Sequence, residues 1–486
     1  MNPFDDTLPE EHEPQYQELT TMLQQVSRKP VFVAPERQAR MLAEVRGLLE
    51  ITASEHVAGQ DVMNMAQFHT PQLGGVSRQH RFSRLITLIA AVLVIGALIV
   101  TDLLIFHPWF SSASRPRPPV HPDRFVISST YPIAKDYSLN GVAALSANDI
   151  WVIGDNPIRR PPRPQALFKH WNGSQWVIYP DPASETQTVS LRAIAAASPS
   201  DVWVVGGVEG SLQPLIQHWN GSRWSVVPSP TIGDESHLVA VTAISKNDVW
   251  AVGNYSPSGP AEQTLIEHWN GTRWSMIPSP HLELGSWLSQ VKSVSANNIW
   301  AVGSFTDGFQ VQTLILHWDG SQWTVVKSPN PGKARNELSS VTVVSASDIW
   351  AVGSLSNSTH GLTVEETLTL HWDGSRWSVV KNPGLGNSSS NSLSDVAALS
   401  ASDVWAVGYE TDINGHSQKL IEHWDGTRWS DVKSPGPATD EALYGMDHVQ
   451  HSNNIIVVGT MYYSTGETGI VLNVTNPGGE VALPKP

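Results

Sequence analysis

The 486-residue sequence contains no cysteine. This absence excludes disulfide bonds, thiolate zinc sites, iron–sulfur clusters and cysteine nucleophiles. It does not specify a compartment, because a chain without cysteine is compatible with reducing and oxidising surroundings. An exported domain of this size must, however, be stable without covalent cross-links.

Positive charge is also scarce. Charged residues make up 15% of the chain, and 30 Lys and Arg stand against 45 Asp and Glu, for a formal net charge of −15. This balance disfavours a nucleic-acid partner, which needs a basic surface. Gly-rich phosphate loops, His-Glu metal motifs and nucleophile elbows are absent as well. We therefore predict no nucleic-acid partner, no cofactor, no metal site and no catalytic residue, that is, a protein that is not an enzyme.

One long apolar run stands out near the N-terminus. Residues 85–106 read LITLIAAVLVIGALIVTDLLIF and carry a single charge, Asp102. As a helix this run spans about 33 Å, enough for the roughly 30 Å hydrocarbon core of a bilayer. A buried core helix would be shorter and amphipathic, and a cleaved signal peptide would not follow about eighty residues of chain. The run predicts a single transmembrane helix.

Arginines flank this helix unequally and predict its orientation. Arg78, Arg81 and Arg84 lie directly before it, whereas Arg115 and Arg117 stand further beyond its other end. Because positive residues favour the cytoplasmic side, we expect a single-pass cell-membrane protein with a cytoplasmic N-terminus and an extracytoplasmic remainder.

The segments on either side of the helix differ in character. Residues 107–123 contain five prolines and predict a semi-rigid linker. Residues 1–80 contain two short stretches with apolar residues at helical spacing. They are compatible with a short cytoplasmic helical segment and with a partly disordered one.

The rest of the chain is repetitive. A His-Trp pair recurs six times at intervals of 48 to 54 residues, each time followed by Asn-Gly or Asp-Gly and a second tryptophan. A third tryptophan precedes each pair in segments such as SKNDVWAVG, so 18 of the 20 tryptophans belong to one periodic unit. A period near fifty residues is typical of stacked supersecondary units. The histidines are His170, His218, His268, His317, His371 and His423.

Each unit is predicted to contain four short antiparallel strands. In residues 238–280, LVAVTAIS, VWAVGNY, TLIEHW and RWSMIP are strand-like, and the Asn270-Gly271 pair suits a type I′ hairpin turn. Four strands per fifty residues without a helical pattern is typical of a propeller blade. We predict an all-β, seven-bladed β-propeller over residues 124–486, with six clear blades and one degenerate blade that begins at Leu443 and lacks the tryptophans. Either residues 124–132 or the segment VALP from Val481 could supply its last strand.

The repeats SANDIWVIG, SPSDVWVVG and SKNDVWAVG, together with the HW[ND]G[ST]xW turns, resemble Trp-rich, kelch-like propeller repeats of bacterial membrane-anchored proteins, of the Asp-box and photosystem II assembly factor type. The resemblance covers roughly residues 139–476. It departs from the Asp-box, because here Asn or Asp directly precedes the glycine. The resemblance implies the fold, and since proteins of this kind include glycosidases, assembly factors and adhesins, it does not imply an activity.

The repeated histidines are predicted to be structural. Six equivalent copies around a ring cannot converge on one substrate or ion, so each is expected to hydrogen-bond within its own blade. The expected acceptors lie in the turn before the first tryptophan of each unit, where the fourth unit has Asn298 instead of aspartate. The aspartates are Asp149, Asp201, Asp248, Asp348 and Asp403.

A ligand site is expected where the repeat varies. In an up-and-down blade, the 1–2 and 3–4 turns lie at one end and the variable 2–3 and 4–1 loops at the other. Off-pattern aromatic residues near the variable loops suit a binding surface for protein or glycan, although some could simply pack against neighbouring loops. Lys292 and Asp447 share one column of the first strands and offer weak support for acid–base chemistry. The candidate ligand-binding residues are Trp287, Tyr255, Phe305, Phe309, Tyr409 and Tyr462.

Three functions fit this organisation. The first is a membrane-tethered extracytoplasmic propeller that binds a protein or glycan as a scaffold. The second is a transmembrane signalling protein, similar to an anti-sigma factor, with a propeller sensor. The third is a cell-surface glycan hydrolase.

Overall fold

A computed structural model describes residues 126–475 of the chain, apart from gaps at 128–130, 157–165, 184–187, 209–210, 212, 231, 234, 258–260, 283, 360–361, 385–387, 434–439 and 464–465. This part of the chain consists of 29 strands and their connections, with no helix. It accordingly holds no helix long and apolar enough to cross a membrane. The predicted cytoplasmic segment 1–80, transmembrane helix 85–106 and linker 107–123 lie outside the described residues.

Two short strands, β1 (Val126–Ile127) and β2 (Tyr131–Lys135), precede the repeated part. Antiparallel units of three or four strands then follow in chain order, and a parallel pairing of Val311 with Arg335 joins units 4 and 5 into one eight-stranded sheet. Unit 1 contains β3 (Ser138–Ser146), β4 (Asp149–Asp155), β5 (Ala166–Trp171) and β6 (Trp176–Tyr179). Unit 2 contains β7 (Val189–Ser198), β8 (Asp201–Val208), β9 (Pro214–Trp219) and β10 (Trp224–Val226). Unit 3 contains β11 (Glu235–Ser245), β12 (Asp248–Ser256), β13 (Gln263–Trp269) and β14 (Trp274–Met276).

The next three units repeat this pattern. Unit 4 contains β15 (Ser286–Ser295), β16 (Asn298–Thr306), β17 (Val311–Trp318) and β18 (Trp323–Val325). Unit 5 contains β19 (Arg335–Ser345), β20 (Asp348–Thr359), β21 (Leu362–Trp372) and β22 (Trp377–Val379). Unit 6 contains β23 (Ser390–Ser400), β24 (Asp403–Thr411), β25 (Ser417–Trp424) and β26 (Trp429–Asp431). Unit 7 contains β27 (Glu441–His448), β28 (Asn454–Tyr463) and β29 (Gly466–Thr475).

Unit 7 takes its outer strand from the N-terminal side. Both β1 and β2 pair antiparallel with β29, with Val126 opposite Thr475 and Pro132 opposite Ile470. Of the two segments that the sequence offered as the last strand of unit 7, the N-terminal one, 124–132, is therefore the one whose described residues pair with β29. The alternative at Val481 lies outside the described residues.

The units pack side by side. The first strand of each unit packs against the first strands of its neighbours, and β27 of unit 7 packs against β3 of unit 1. Seven clusters of buried apolar side chains lie between consecutive units, including one between units 7 and 1. An all-β fold of repeated four-stranded sheets, with first strands innermost, is consistent with a β-propeller.

Tryptophan fills these interfaces. The Trp250 ring lies over His268 of its own unit, with ring centroids 4.3 Å apart. It also contacts Trp318 and Trp323 of unit 4, at centroid distances of 5.0 and 5.7 Å. Aromatic burial of this kind stabilises the contact between units by hydrophobic transfer and ring packing.

The Asx-Gly turns differ from the predicted type I′ geometry, which requires positive φ at two residues. Only the glycine has positive φ, as at Gly271 with φ +91°. The Asn270 Oδ1 atom accepts hydrogen bonds from the backbone N–H groups of Thr272 and Arg273, at 3.0 and 3.1 Å. The type I′ prediction is wrong because this Asx turn keeps the asparagine in ordinary φ space and makes a four-residue loop.

Candidate functional site

The two ends of the units carry different kinds of residue. At the end with the 1–2 and 3–4 turns, each repeated histidine hydrogen-bonds through Nε2 to the predicted acceptor. The distances range from 2.6 Å between His218 and Asp201 to 3.0 Å between His423 and Asp403. His317 bonds to Asn298 at 2.9 Å. The predicted hydrogen bond of each histidine within its own unit is confirmed, and we call this end the repeated end.

In units 2, 3, 4 and 6 the same acceptor also holds the first tryptophan of the unit. The Trp250 indole N–H donates to Asp248 Oδ1 at 2.9 Å, so one carboxylate oxygen orients both Trp250 and His268. No group of three or more His, Asp or Glu side chains among the described residues is placed to hold a metal ion. Repetition at this end therefore serves the internal geometry of each unit.

The opposite end, which we call the variable end, is ordered by a column of buried leucines. Leu288 and Leu338 on the first strands pair with Gly303 and Gly353 on the second, and each first strand bulges directly after the leucine. These glycines are required because an added Cβ would lie 2.1 Å from a backbone oxygen. Residues just before and after the leucine therefore lie at corresponding heights in every unit.

The predicted aromatic residues occupy several environments at this end. Trp287 lies half-buried on β15, directly before Leu288. Tyr255 and Phe305 pack against the apolar clusters between units 2 and 3 and between units 3 and 4. Phe309 is 95% exposed at the tip of the β16–β17 hairpin. A ligand-binding role for these residues stays a prediction.

The other two predicted aromatics, Tyr409 and Tyr462, belong to a trio that spans units 6 and 7. The third member is Tyr444, at the bulge of β27, and its hydroxyl hydrogen-bonds to that of Tyr462. Strand β24, which carries Tyr409, packs against β27. Tyr462 retains 36% of its surface and Tyr463 beside it retains 49%.

Carboxylates surround the trio. Glu337 lies near the start of β19 and Glu365 lies on β21, both at the variable end of unit 5, and Glu467 lies near the start of β29, opposite Tyr462. Glu365 accepts a hydrogen bond from Ser354 at 2.6 Å and another from Ser390 of unit 6 at 3.5 Å. Its carboxylate thus bridges two units. We call the three tyrosines with Glu337, Glu365 and Glu467 the Tyr–Glu patch.

The patch keeps its phenols neutral. Desolvation, followed by the nearby charge of Glu365, raises the pKa of Tyr409. Desolvation and the bond to Tyr462 raise the pKa of Tyr444, and desolvation together with Glu467 raises that of Tyr462. Desolvation also raises the pKa of Glu467. Neutral rings beside carboxyl groups make a surface that is both aromatic and acidic.

Only part of this negative charge is compensated nearby. Arg335 pairs with Glu337 at 2.5 Å, in an exposed contact. Among the described residues, neither Glu365 nor Glu467 forms an ion pair with Lys or Arg, although the charge of Glu365, after the closer Glu337, helps to raise the pKa of Arg335. An exposed pair such as Arg335–Glu337 contributes little and exchanges readily with a competing cation.

The first strands carry further charged residues deeper in the fold. Asp395 accepts hydrogen bonds from Ser340 of unit 5 at 2.5 Å and from the Met446 N–H of unit 7 at 2.7 Å. Asp447 accepts one from the Ala144 N–H of unit 1 at 2.8 Å. Desolvation raises the pKa of both carboxyls, while Lys292 opposes the shift. These contacts tie adjacent units together.

Sequence reasoning missed Tyr444, Glu337, Glu365 and Asp395. When the first strands are aligned on their leucines, Tyr444 stands out, because other units have smaller or polar residues after the leucine, such as Asn140 and Ser339. Glu365 has no comparable sequence signal, since it matters through its position across from unit 6.

No protein-family model and no curated protein sequence matches this chain. Its fold is similar to YCF48 from Cyanidioschyzon merolae, at 14% identity and TM-score 0.46, over 73% of this chain and 99% of that one. YCF48 bound to D1 peptide aligns at 14% identity and TM-score 0.45, over 74% and 99% of the two chains. A PL25 ulvan lyase bound to -[GlcA(1-4)Rha3S]- aligns at 10% identity and TM-score 0.47, over 72% and 96%. At these identities the likeness concerns the fold alone, and no residue role or activity is carried over.

Proposed function

We propose that this chain is a membrane-tethered, extracytoplasmic binding or scaffold module, built as a seven-bladed β-propeller with its ligand site at the variable end. The ligand class is a protein or a glycan. The observation that carries this proposal is the separation of the two ends: the repeated end uses its His, Asp and Trp side chains for internal hydrogen bonds, whereas the variable end presents non-repeated aromatic and acidic residues.

Seven units support the ring that the proposal requires. Each of the seven buried clusters joins neighbouring units, and the one between units 7 and 1 contains Leu139 and Val142 of unit 1 with Ile456 and Val458 of unit 7. The pairing of the N-terminal strands with β29 supports closure of the ring, as expected when two chain ends share one blade.

Binding at the variable end is tested with two matched pairs of substitutions. Tyr409→Ala with Tyr462→Ala alters the variable end, and Arg273→Ala with Arg376→Ala alters the exposed turns of the repeated end. Partners cross-linked to the full chain in its native membrane are compared with those of each variant. We expect the first pair to lose partners that the second pair retains. Loss confined to the second pair would contradict the placement of the site.

The absence of cysteine makes the membrane topology directly testable. A single cysteine introduced at Ser27 or at Ser222 is the only thiol in the chain. In intact cells, a membrane-impermeant maleimide is expected to label Ser222→Cys but not Ser27→Cys until the cells are opened. Equal labelling of both sites in intact cells would disprove a cytoplasmic N-terminus.

A further inference from the structure

The Tyr–Glu patch combines two features that favour one class of ligand. Aromatic faces attract cations through their quadrupole, and the carboxylates of Glu365 and Glu467 add direct charge attraction. Three consecutive units contribute: Glu337 and Glu365 from unit 5, Tyr409 from unit 6, and the remaining residues from unit 7. The surface is therefore wider than a single side-chain pocket.

The same charge disfavours anionic glycans. A sulfated or uronate-containing chain would place negative groups beside the carboxylates, in a chain whose net charge is −15. The Tyr444 and Tyr462 hydroxyls already bond to each other, so these two hydroxyls are less available to bind sugar hydroxyls. A ligand that approaches the rings with positive charge gains from both features.

Resting on the proposed binding function, we infer that the Tyr–Glu patch binds a basic peptide segment of a protein partner, with Lys or Arg side chains lying over Tyr409 and Tyr462 and pairing with Glu365 and Glu467. Arg335 on Glu337 occupies the position that an incoming guanidinium takes, at 2.5 Å from a carboxylate oxygen. An Arg-containing peptide would displace or supplement it.

The test uses the full chain and a fluorescent peptide with alternating Arg and Gly. Its matched neutral control replaces each Arg by citrulline, which keeps the shape and removes the charge. We expect binding of the Arg peptide to exceed that of the citrulline peptide at least tenfold at low salt. We also expect this binding to weaken as the Debye length falls from about 10 Å at 0.1 M salt to about 3 Å at 1 M. Equal binding of the two peptides would overturn the inference.

Substitutions locate the site. Glu365→Gln with Glu467→Gln should reduce affinity for the Arg peptide about tenfold or more, whereas Glu235→Gln with Glu262→Gln, at the same end of unit 3, should leave it unchanged. Similar losses from both pairs would indicate non-specific attraction and would refute the site.

The aromatic contribution has its own control. Tyr462→Phe keeps the ring and removes the bond to Tyr444, so it should retain binding, whereas Tyr462→Ala should lose it. The reverse order would contradict a cation–ring contact. If the Arg peptide fails to bind while the variable-end pair Tyr409→Ala with Tyr462→Ala still loses its cross-linked partners, the basic-peptide inference falls and the proposed function stands.

Discussion

Glu422 is a carboxylate whose removal should stabilise the protein. It lies on β25 with 1% of its surface exposed, and its carboxylate accepts a hydrogen bond from Asn382. Desolvation raises its pKa from 4.5 to about 8. The equivalent position holds Gln217 in unit 2 and Leu316 in unit 4, both buried, so the fold accepts a neutral residue there.

The direction of the pH effect follows from proton linkage. Because the folded-state pKa lies above the unfolded value of 4.5, the folded state holds its proton more tightly. The free energy of unfolding is therefore highest below pH 4.5 and falls as pH rises toward the folded pKa of about 8. At 1.36 kcal/mol per unit, the penalty is below about 1 kcal/mol at pH 5, about 3 kcal/mol at pH 7 and approaches about 5 kcal/mol above pH 8. These penalties are upper values, because relaxation of the protein around the charged carboxylate lowers them.

The variant Glu422→Gln removes this penalty. We expect its unfolding free energy to equal or fall slightly below that of the wild type at pH 5 and to exceed it by about 2 to 3 kcal/mol at pH 8. Urea unfolding followed by tryptophan fluorescence at several pH values measures both curves. Glu267→Gln serves as a second case with a smaller gain, since the pKa of Glu267 is raised only to about 7. Parallel pH dependence of the wild type and Glu422→Gln would refute the reasoning.

Three further predictions concern stability. His268→Ala should lower the free energy of unfolding by about 2 to 4 kcal/mol, because it removes a hydrogen bond to the Asp248 carboxylate and the ring that packs on Trp250. Ligand affinity should stay nearly unchanged, and thermal melts with binding assays check both. Gly271→Ala should lower the melting temperature more than Gly384→Ala. Both glycines have positive φ, but only at position 271 would the added Cβ lie within 2.7 Å of a neighbouring side chain. Asp395→Asn should lower the free energy of unfolding by about 1 to 3 kcal/mol in urea titrations, because the second oxygen is replaced by an amide nitrogen that cannot accept the Met446 N–H. Unchanged stability would show that this hydrogen bond between units is dispensable.

Much of the fold could be predicted from the sequence because its information is local. The strands and the histidine–aspartate bonds join residues about twenty apart, such as Asp248 and His268, and the same residues recur unit after unit. Because each unit uses the same local contacts, the residues that make them recur at a regular interval in the sequence. The turn type was predicted wrongly at Asn270 because a side-chain hydrogen bond outweighed the usual preference of Asn-Gly pairs.

Repetition along the chain determined the strands, the tryptophan cores and the division between constant and variable ends, since each depends on contacts within one unit or with the next. Only the tertiary structure decided which terminal strand pairs with β29, how Asp395 links three units, and that Tyr409, Tyr444 and carboxylates from unit 5 share one surface. Those contacts join residues far apart in sequence that occur once each. A periodic sequence pattern specifies the units that it repeats. The contacts of the non-repeated side chains depend on how those units are assembled.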